Sequence, residues 1–460
     1  MDNFYDTIVV GGGISGLTSA LILKRKRFKV VLFESSFRPG GSILTHKVDD
    51  FIFELGPNTV LSNCKEMDDL FDLCDLLEKK LTAFPDSKKR FIVKNGNIVP
   101  LPLGLFSLIT TKVFSTKAKM RVLKEFFVPP KRDAKEESVA EFAIRRLGKE
   151  FLDYAVGPFV SGVYAGDPDK LSLEHAVPKI YAIEQKYGSL IKGAIAKRRG
   201  GQPSGDLISF PPGLQALPET IASLLEDSFK LKSRVRKISK SGDLYEVKVQ
   251  LEDGTSKLFH SRSVIVAVPA DSASEILSEL DEDFSEGISS LPYAPIAVVS
   301  LGYKKEDVGH PLNGFGFLAP EVENRFVLGC LFPSSLFPNR AKKGCVSLTA
   351  FIGGAIHPER AFLEEEDILE KTIKDITPLL RIKGKPIFEK VTIWHKAIPQ
   401  YLLGHRAYKS SAEIFEKRNP GAFISGNLLY GVSVANCIQN STNLTKRVIS
   451  FLQGYESDIM

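Results

Sequence analysis

The feature that most constrains this chain lies near its start, where the apolar run Thr7-Ile8-Val9-Val10 leads straight into Gly11-Gly12-Gly13-Ile14-Ser15-Gly16. Apolar spacing then takes a helical period at Ile14, Leu17, Ala20 and Leu21, so the stretch predicts strand, tight turn, helix. In such a unit Gly11 makes the turn, Gly13 admits a pyrophosphate to the backbone, and Gly16 lets helix and strand close together. The free amides and positive dipole of the helix start, at Ile14 and Ser15, face the phosphates. A second strand, Lys29-Val30-Val31-Leu32-Phe33, ends on Glu34 and Ser35. Glu34 stands within reach of ribose hydroxyls, and its charge disfavours a 2′-phosphate. A glycine turn alone is weak; the strand before it, the helix after it and the acid beyond make it a dinucleotide site.

At 460 residues the chain accommodates two or three domains, and 43% hydrophobic with 25% charged residues is ordinary globular composition. A net charge of +6 suits an anionic substrate or an anionic membrane surface without deciding between them, and no nucleic-acid partner is expected. Five scattered cysteines with no CxxC pair argue against a disulfide framework or structural zinc and for a reducing compartment. The seven histidines lack metal-ligand spacing, so no metal is expected. The stretch from Ile8 to Leu23 imitates a signal peptide, but it holds three consecutive glycines and follows Asp2 and Asp6; no cleaved presequence is expected, and no spanning helix.

Further along, Phe51-Ile52-Phe53-Glu54-Leu55-Gly56-Pro57-Asn58 reads as a strand and turn, Lys65 to Leu81 as a helix, and Lys88 to Val99 as a hairpin turning at Asn95-Gly96. Leu101 to Phe127 interleaves leucine and phenylalanine with Lys112, Lys117, Lys119, Arg121 and Lys124. It reads two ways: core helices with solvated lysines, or an interfacial segment whose lysines meet anionic lipid. Val139 to Leu152 predicts a helix capped by Ser138, and Ala176 to Lys197 a second helical region leading into a basic glycine-rich loop, Arg198 to Gly205. An α/β pattern returns from Pro211, with a helix near Pro218 to Leu225 and strands at Val235 to Ile238, Tyr245 to Val249 and Val264 to Val268. Strand-like runs at Ile296 to Leu301, Phe326 to Leu331 and Val346 to Ile352 precede a helix near Glu364 to Leu380. Finally, Phe423 to Asn427 ends a strand and Gly431-Val432-Ser433-Val434 opens a helix; its amides suit an anionic cofactor edge, and an ordinary strand–helix unit fits that block equally well.

Arg38-Pro39-Gly40-Gly41 resembles the second glycine pair of the FAD-dependent oxidase and desaturase superfamily, which there approaches the flavin phosphate and ribityl chain. Taken together, the pieces resemble the FAD-dependent, oxygen-using protoporphyrinogen oxidase family over nearly the whole chain. Beyond the flavin motifs, the resemblance rests on Phe53 to Pro57, Phe142 to Gly148 (FAIRRLG), Gly162 to Asp167 (GVYAGD), Pro178 with Glu184 and Tyr187-Gly188-Ser189-Leu190, Gly314 to Leu318, Ile398 to His405 (IPQYLLGH) and Gly431-Val432. Amine oxidases and carotenoid desaturases share the glycines but not these segments.

The resemblance implies non-covalent FAD held by Gly11, Gly13, Ile14, Ser15, Gly16, Glu34, Ser35, Gly40, Gly41, Ser42, Gly56, Pro57, Asn58, Val235, Gly426, Gly431, Val432 and Val434. Ser42 departs from the long or basic residue often found there. Arg90 matches an arginine that holds a porphyrinogen propionate, Phe315 and Leu318 match apolar residues that position the macrocycle, and Gly162 matches a glycine whose carbonyl faces a pyrrole N–H. Arg90 also reads as a surface charge beside Lys88 and Lys89, and Phe315 and Gly162 as structural.

The implied fold is α/β: an FAD-binding Rossmann-like domain (1–80, 205–285 and 405–460), a substrate-binding α+β domain (81–98 and 286–404) and a helical, membrane-associating insertion (99–204). The implied reaction is the six-electron oxidation of protoporphyrinogen IX to protoporphyrin IX, with three O2 reduced to H2O2. No catalytic acid–base dyad is evident, as expected where a cofactor carries the chemistry. The alternatives are the same chemistry on coproporphyrinogen III and, more distantly, a non-catalytic flavin and porphyrin chaperone. The resemblance further implies a cytoplasmic protein peripheral to the inner face of the cell membrane, with handover to a chelatase or ferrochelatase and a homodimer as open possibilities.

Overall fold

The computed structural model describes residues 3–102, 105–133, 135–199 and 205–457. Phe4–Val10 lies in a seven-stranded sheet, parallel to Val30–Phe33 on one side and to Ser256–Val266 on the other. Parallel strands covered on both faces need apolar residues at successive positions, which is why these strands read as continuous runs. Arg234–Ser241 and Leu244–Gln250 extend the sheet antiparallel, and Ala422–Ile424 joins the C-terminal half of Ser256–Val266 in parallel. One face packs on the helices Ile14–Arg25, Ala216–Leu225 and Val434–Ser457, the other on Ala270–Leu277, Glu282–Ser289 and Arg406–Arg418.

A second seven-stranded sheet runs in the order Phe388–Pro399, Tyr293–Lys304, Cys345–Gly353, Gly329–Leu331, Gly316–Leu318, Phe91–Lys94 and Asn97–Pro100. The hairpin at Asn95-Gly96 thus joins strands that follow it by two hundred residues, through the parallel pairs Phe91↔Phe317 and Ile92↔Leu318. The Glu365–Leu380 helix closes one face of this sheet.

Between Leu105 and Arg199 the named elements are helical. Their joints meet on one ionic cluster. The Arg146 guanidinium, fully buried, donates to Glu184 at 2.6 and 2.8 Å and to Glu125. Glu125 also accepts from Ser189 Oγ at 2.7 Å and from the Leu190 amide at 2.9 Å, which caps the helix Leu190–Arg199. Buried charges persist only when paired, and removing one partner of such a cluster costs about 3–5 kcal/mol.

Several predicted elements are shorter or divided. The helix begun at Lys65 ends at Leu73, because Asp75 takes a left-handed conformation (φ +53°). Val139–Arg146 carries the Ser138–Glu141 capping box but stops before Gly148 (φ +93°) instead of reaching Leu152. The region from Ala176 divides into Leu173–Ala176, Pro178–Tyr187 and Leu190–Arg199, broken at Pro178 and at Gly188. The strand expected from Phe326 begins at Gly329. Of the expected basic loop, Arg198 and Arg199 end a helix, and residues 200–204 lie outside the described residues. Phe388–Pro399 carries no sequence signal because this edge strand is half-exposed on both faces and alternates poorly.

Candidate cofactor and substrate site

The turn after Phe4–Val10 opens a cavity of about 460 Å³. Gly11 holds φ +105°, and a Cβ on it would sit 2.5 Å from the Ala267 carbonyl. A Cβ on Gly16 would meet the Gly11 carbonyl at 2.0 Å, so this glycine sets helix-to-strand packing and does not itself line the cavity. Gly13 differs: a Cβ there meets no protein atom within 4 Å, so a side chain would project into open space at the cavity wall. Gly13 also precedes Ile14–Arg25, whose N-terminus has no side-chain cap and no acidic residue in its first turn. Uncapped amides with a positive dipole beside an open cradle fit a pyrophosphate.

Glu34 lines the same cavity and accepts from the Gly12 amide at 2.6 Å and the Ser36 amide at 2.7 Å. Ser35 Oγ also lies 3.4 Å from Glu34 Oε1, so Oε2 is the oxygen that keeps a lone pair for a ribose hydroxyl. The second glycine pair is buttressed from behind: Arg38 donates to the carbonyls of Gly41 at 2.6 Å and Ile43 at 3.0 Å, and the Gly40 amide bonds the Gly12 carbonyl at 2.8 Å. Burial pushes the Arg38 pKa down, and Glu34 opposes that shift.

Ile14, Ser15, Ser35, Gly40, Gly41, Ser42, Pro57, Val235, Gly426, Val432 and Val434 also border the cavity. Gly56, Asn58 and Gly431 do not. Gly56 packs against the Ser42 carbonyl, 1.9 Å from where its Cβ would be; Asn58 donates to the Gly56 carbonyl at 3.0 Å; Gly431 turns at φ +77° beside Asn436. Sequence reading missed Ser233, Tyr293, Trp394, Lys396 and Ala397 on the wall. The last three sit on the unsignalled strand Phe388–Pro399, where Trp394 Nε1 donates to the Leu55 carbonyl at 2.7 Å and Lys396 pairs with Asp271 at 2.6 Å.

The four substrate candidates lie off this cavity in two contacting pairs. The Arg90 guanidinium carbon stands 4.0 Å over the Phe315 ring, and the Phe315 amide donates to the Lys89 carbonyl at 2.9 Å. Arg90 is half-buried, burial lowers its pKa, and among the described residues no carboxylate pairs with it. Gly162 faces Leu318: a Cβ there would come within 2.8 Å of Leu318 Cδ2. Gly162 lies in the last turn of Gly157–Tyr164, and among the described residues its carbonyl accepts no hydrogen bond. Trp394 and Ala397 of the cavity wall pack in one apolar cluster with Leu328 and with Ala165, which closes that helix. That cluster connects the two places.

A glycine turn beside an uncapped helix start, with Glu34 on the same wall, is the geometry of a dinucleotide site, and the family match makes this chain an FAD-dependent oxidoreductase. The chain belongs to the flavin containing amine oxidoreductase family, whose model matches residues 14–449. It is 33% identical to protoporphyrinogen oxidase 2 of Arabidopsis thaliana over 98% of this chain and 95% of that protein. To the coproporphyrinogen III oxidase of Bacillus subtilis it is 30% identical, over 97% and 98%. A crystal structure from Exiguobacterium sp. 255-15 superimposes with a TM-score of 0.81 at 22% identity, covering 97% of this chain and 99% of that one, which shows the shared fold.

Proposed function

We propose that the chain oxidises protoporphyrinogen IX to protoporphyrin IX, reducing three O2 to three H2O2. The observation that carries this reading is the half-buried, carboxylate-free Arg90 pressed on Phe315, beside the Gly162–Leu318 contact. A flat tetrapyrrole with carboxylates requires apolar walls with a cation at the mouth, because an unpaired buried carboxylate is costly. Phe315 and Leu318 supply the walls, Arg90 the ion pair, and the free Gly162 carbonyl an acceptor for a pyrrole N–H. FAD bound in the cavity supplies a two-electron hydride acceptor that O2 regenerates. The protein orients the macrocycle and needs no acid–base dyad of its own.

The full-length likeness to the Bacillus subtilis enzyme favours a second reading, coproporphyrinogen III as substrate. That substrate carries four propionates and calls for more cations. Lys89 pairs with Asp86 at 3.0 Å, but both side chains are more than half exposed, and so weak a pair leaves the lysine able to meet a further propionate. The test is aerobic turnover of each porphyrinogen by the FAD-loaded protein. Protoporphyrin fluorescence with three peroxides per porphyrin is expected; porphyrin binding without flavin reduction would mark a carrier.

We further propose that the helical stretch rests on an anionic membrane surface. Val113, Phe114, Ala118 and Val122 are buried, while Met120, Leu123, Phe126 and Phe127 are exposed beside Lys117 and Lys124. Among the described residues no helix is long and apolar enough to cross a membrane. An exposed apolar face flanked by lysines suits interfacial docking. Binding to vesicles containing anionic lipid, absent with neutral lipid at high salt, is the expected result.

A further inference from the structure

The segments Ile398–His405 and Gly162–Gly166 are knitted to each other and to the cofactor cavity. Gln400 Nε2 donates to the Tyr164 carbonyl at 2.8 Å, the Ser172 amide to the Tyr401 carbonyl at 2.8 Å, and the Leu403 amide to the Lys170 carbonyl at 2.9 Å. Gly166 fits because it has no side chain: a Cβ would lie 2.8 Å from Gln400 Oε1. The Tyr401 ring meets Tyr164 edge-on at 6.3 Å and stacks on His405 at 4.3 Å, and both Tyr401 and His405 are buried.

The polar tips of this brace reach the loop that follows Ala422–Ile424. The Tyr401 hydroxyl donates to the Asn427 carbonyl, and His405 Nε2 lies 3.3 Å from the Leu429 carbonyl. Burial pushes the His405 pKa down to about 4. At neutral pH the ring therefore carries one proton, and the Leu429 carbonyl holds it on Nε2. Asn427 and Val432 of the same loop line the cavity, although neither Tyr401 nor His405 does.

We infer that Tyr401 and His405 are positioning residues of the cofactor site, holding the 426–432 loop in the shape that puts Gly426, Asn427 and Val432 on the cavity wall. Because Gly162 abuts Leu318, the same brace joins the substrate corner to that loop. The inference rests on FAD as the cavity's occupant, and the test separates the two claims.

Tyr401→Phe keeps the ring and its stacking but removes the hydroxyl. Apoprotein is titrated with FAD by flavin fluorescence, its melting is recorded, and the midpoint potential of the bound flavin is measured. The FAD Kd is expected to rise about tenfold, the potential to shift from its wild-type value, and apoprotein melting to fall by no more than a few degrees. His405→Leu removes the other donor and His405→Gln retains one; the glutamine variant should bind FAD nearly as the wild type does and the leucine variant should not. If Tyr401→Phe and His405→Leu lower melting while FAD affinity and potential stay at wild-type values, both residues are ordinary core and the inference falls. A folded wild-type protein that binds no FAD would overturn the cofactor assignment itself.

Discussion

The proposed cofactor cradle draws Gly11, Gly13, Glu34 and Gly41 from one short stretch, whereas the proposed substrate corner draws Arg90, Gly162, Phe315 and Leu318 from three distant segments. In the cradle, backbone does the work: uncapped amides, glycines that clear the way, one acid. In the substrate corner, side chains do it, and a parallel strand pair and a helix end bring them together. The geometry of the glycine turn is local, although the rest of the cavity wall comes from distant segments that include Trp394 and Gly426. The substrate corner depends on the whole second sheet, and its specificity is correspondingly adjustable.

The largest expected effect separates the two cleanly. Gly13→Val places a side chain in open cavity space, so FAD affinity should fall by roughly a hundredfold or more while the apoprotein keeps its melting temperature; flavin fluorescence and calorimetry read both. By contrast, Gly16→Val drives into the Gly11 carbonyl and should cost soluble protein, not cofactor alone. A Gly13→Val protein that still purified fully yellow would break the distinction.

Next in size, Arg90→Ala should raise KM for protoporphyrinogen IX about 10- to 100-fold, as expected for losing a charge-assisted pair, with FAD content unchanged. Loss of FAD in that variant would make the arginine structural.

Glu54 probes the joint between the two regions. Buried, it accepts from Thr45 Oγ1 at 2.7 Å and the Leu214 amide at 2.8 Å, with Arg340 nearby. Burial raises its pKa from 4.5 to about 7. Between those values the folded state holds a proton that the unfolded state has released, so stability falls as pH rises, by up to about 1.4 kcal/mol per pH unit. Glu54→Gln should flatten that part of the pH–stability curve in chemical denaturation. An unchanged slope would show that Glu54 is ionised throughout.

The smallest effect lies furthest from both sites. Phe127→Ser on the exposed apolar face should weaken vesicle binding severalfold, in keeping with the area of one aromatic side chain, with turnover of dispersed substrate unaffected.

This contrast also explains what the sequence made legible. The strand–turn–helix and the hairpin at Asn95-Gly96 are local patterns that form as read, and Glu34, Gly40 and Gly41 border the cavity. Trp394 and Lys396 were not legible, because an edge strand half-exposed on both faces carries little periodicity. Three helical stretches are shorter than their hydrophobic spacing suggests: Asp75, Gly148 and Gly188 act through backbone conformation, which that spacing does not register. Arg90 and Phe315 were singled out only through family resemblance, and no local pattern forecasts their contact.

The central claim is a porphyrinogen oxidase with a two-propionate substrate, and anaerobic flavin reduction tests it most directly. FAD-loaded protein is mixed separately with protoporphyrinogen IX and coproporphyrinogen III, bleaching of the flavin is followed, and air is then admitted while porphyrin fluorescence and peroxide are recorded. Faster bleaching by protoporphyrinogen IX, with recovery of the yellow form and peroxide on admission of air, is the predicted result. A flavin that neither substrate bleaches would contradict the enzyme assignment, and faster bleaching by coproporphyrinogen III would contradict the choice of substrate.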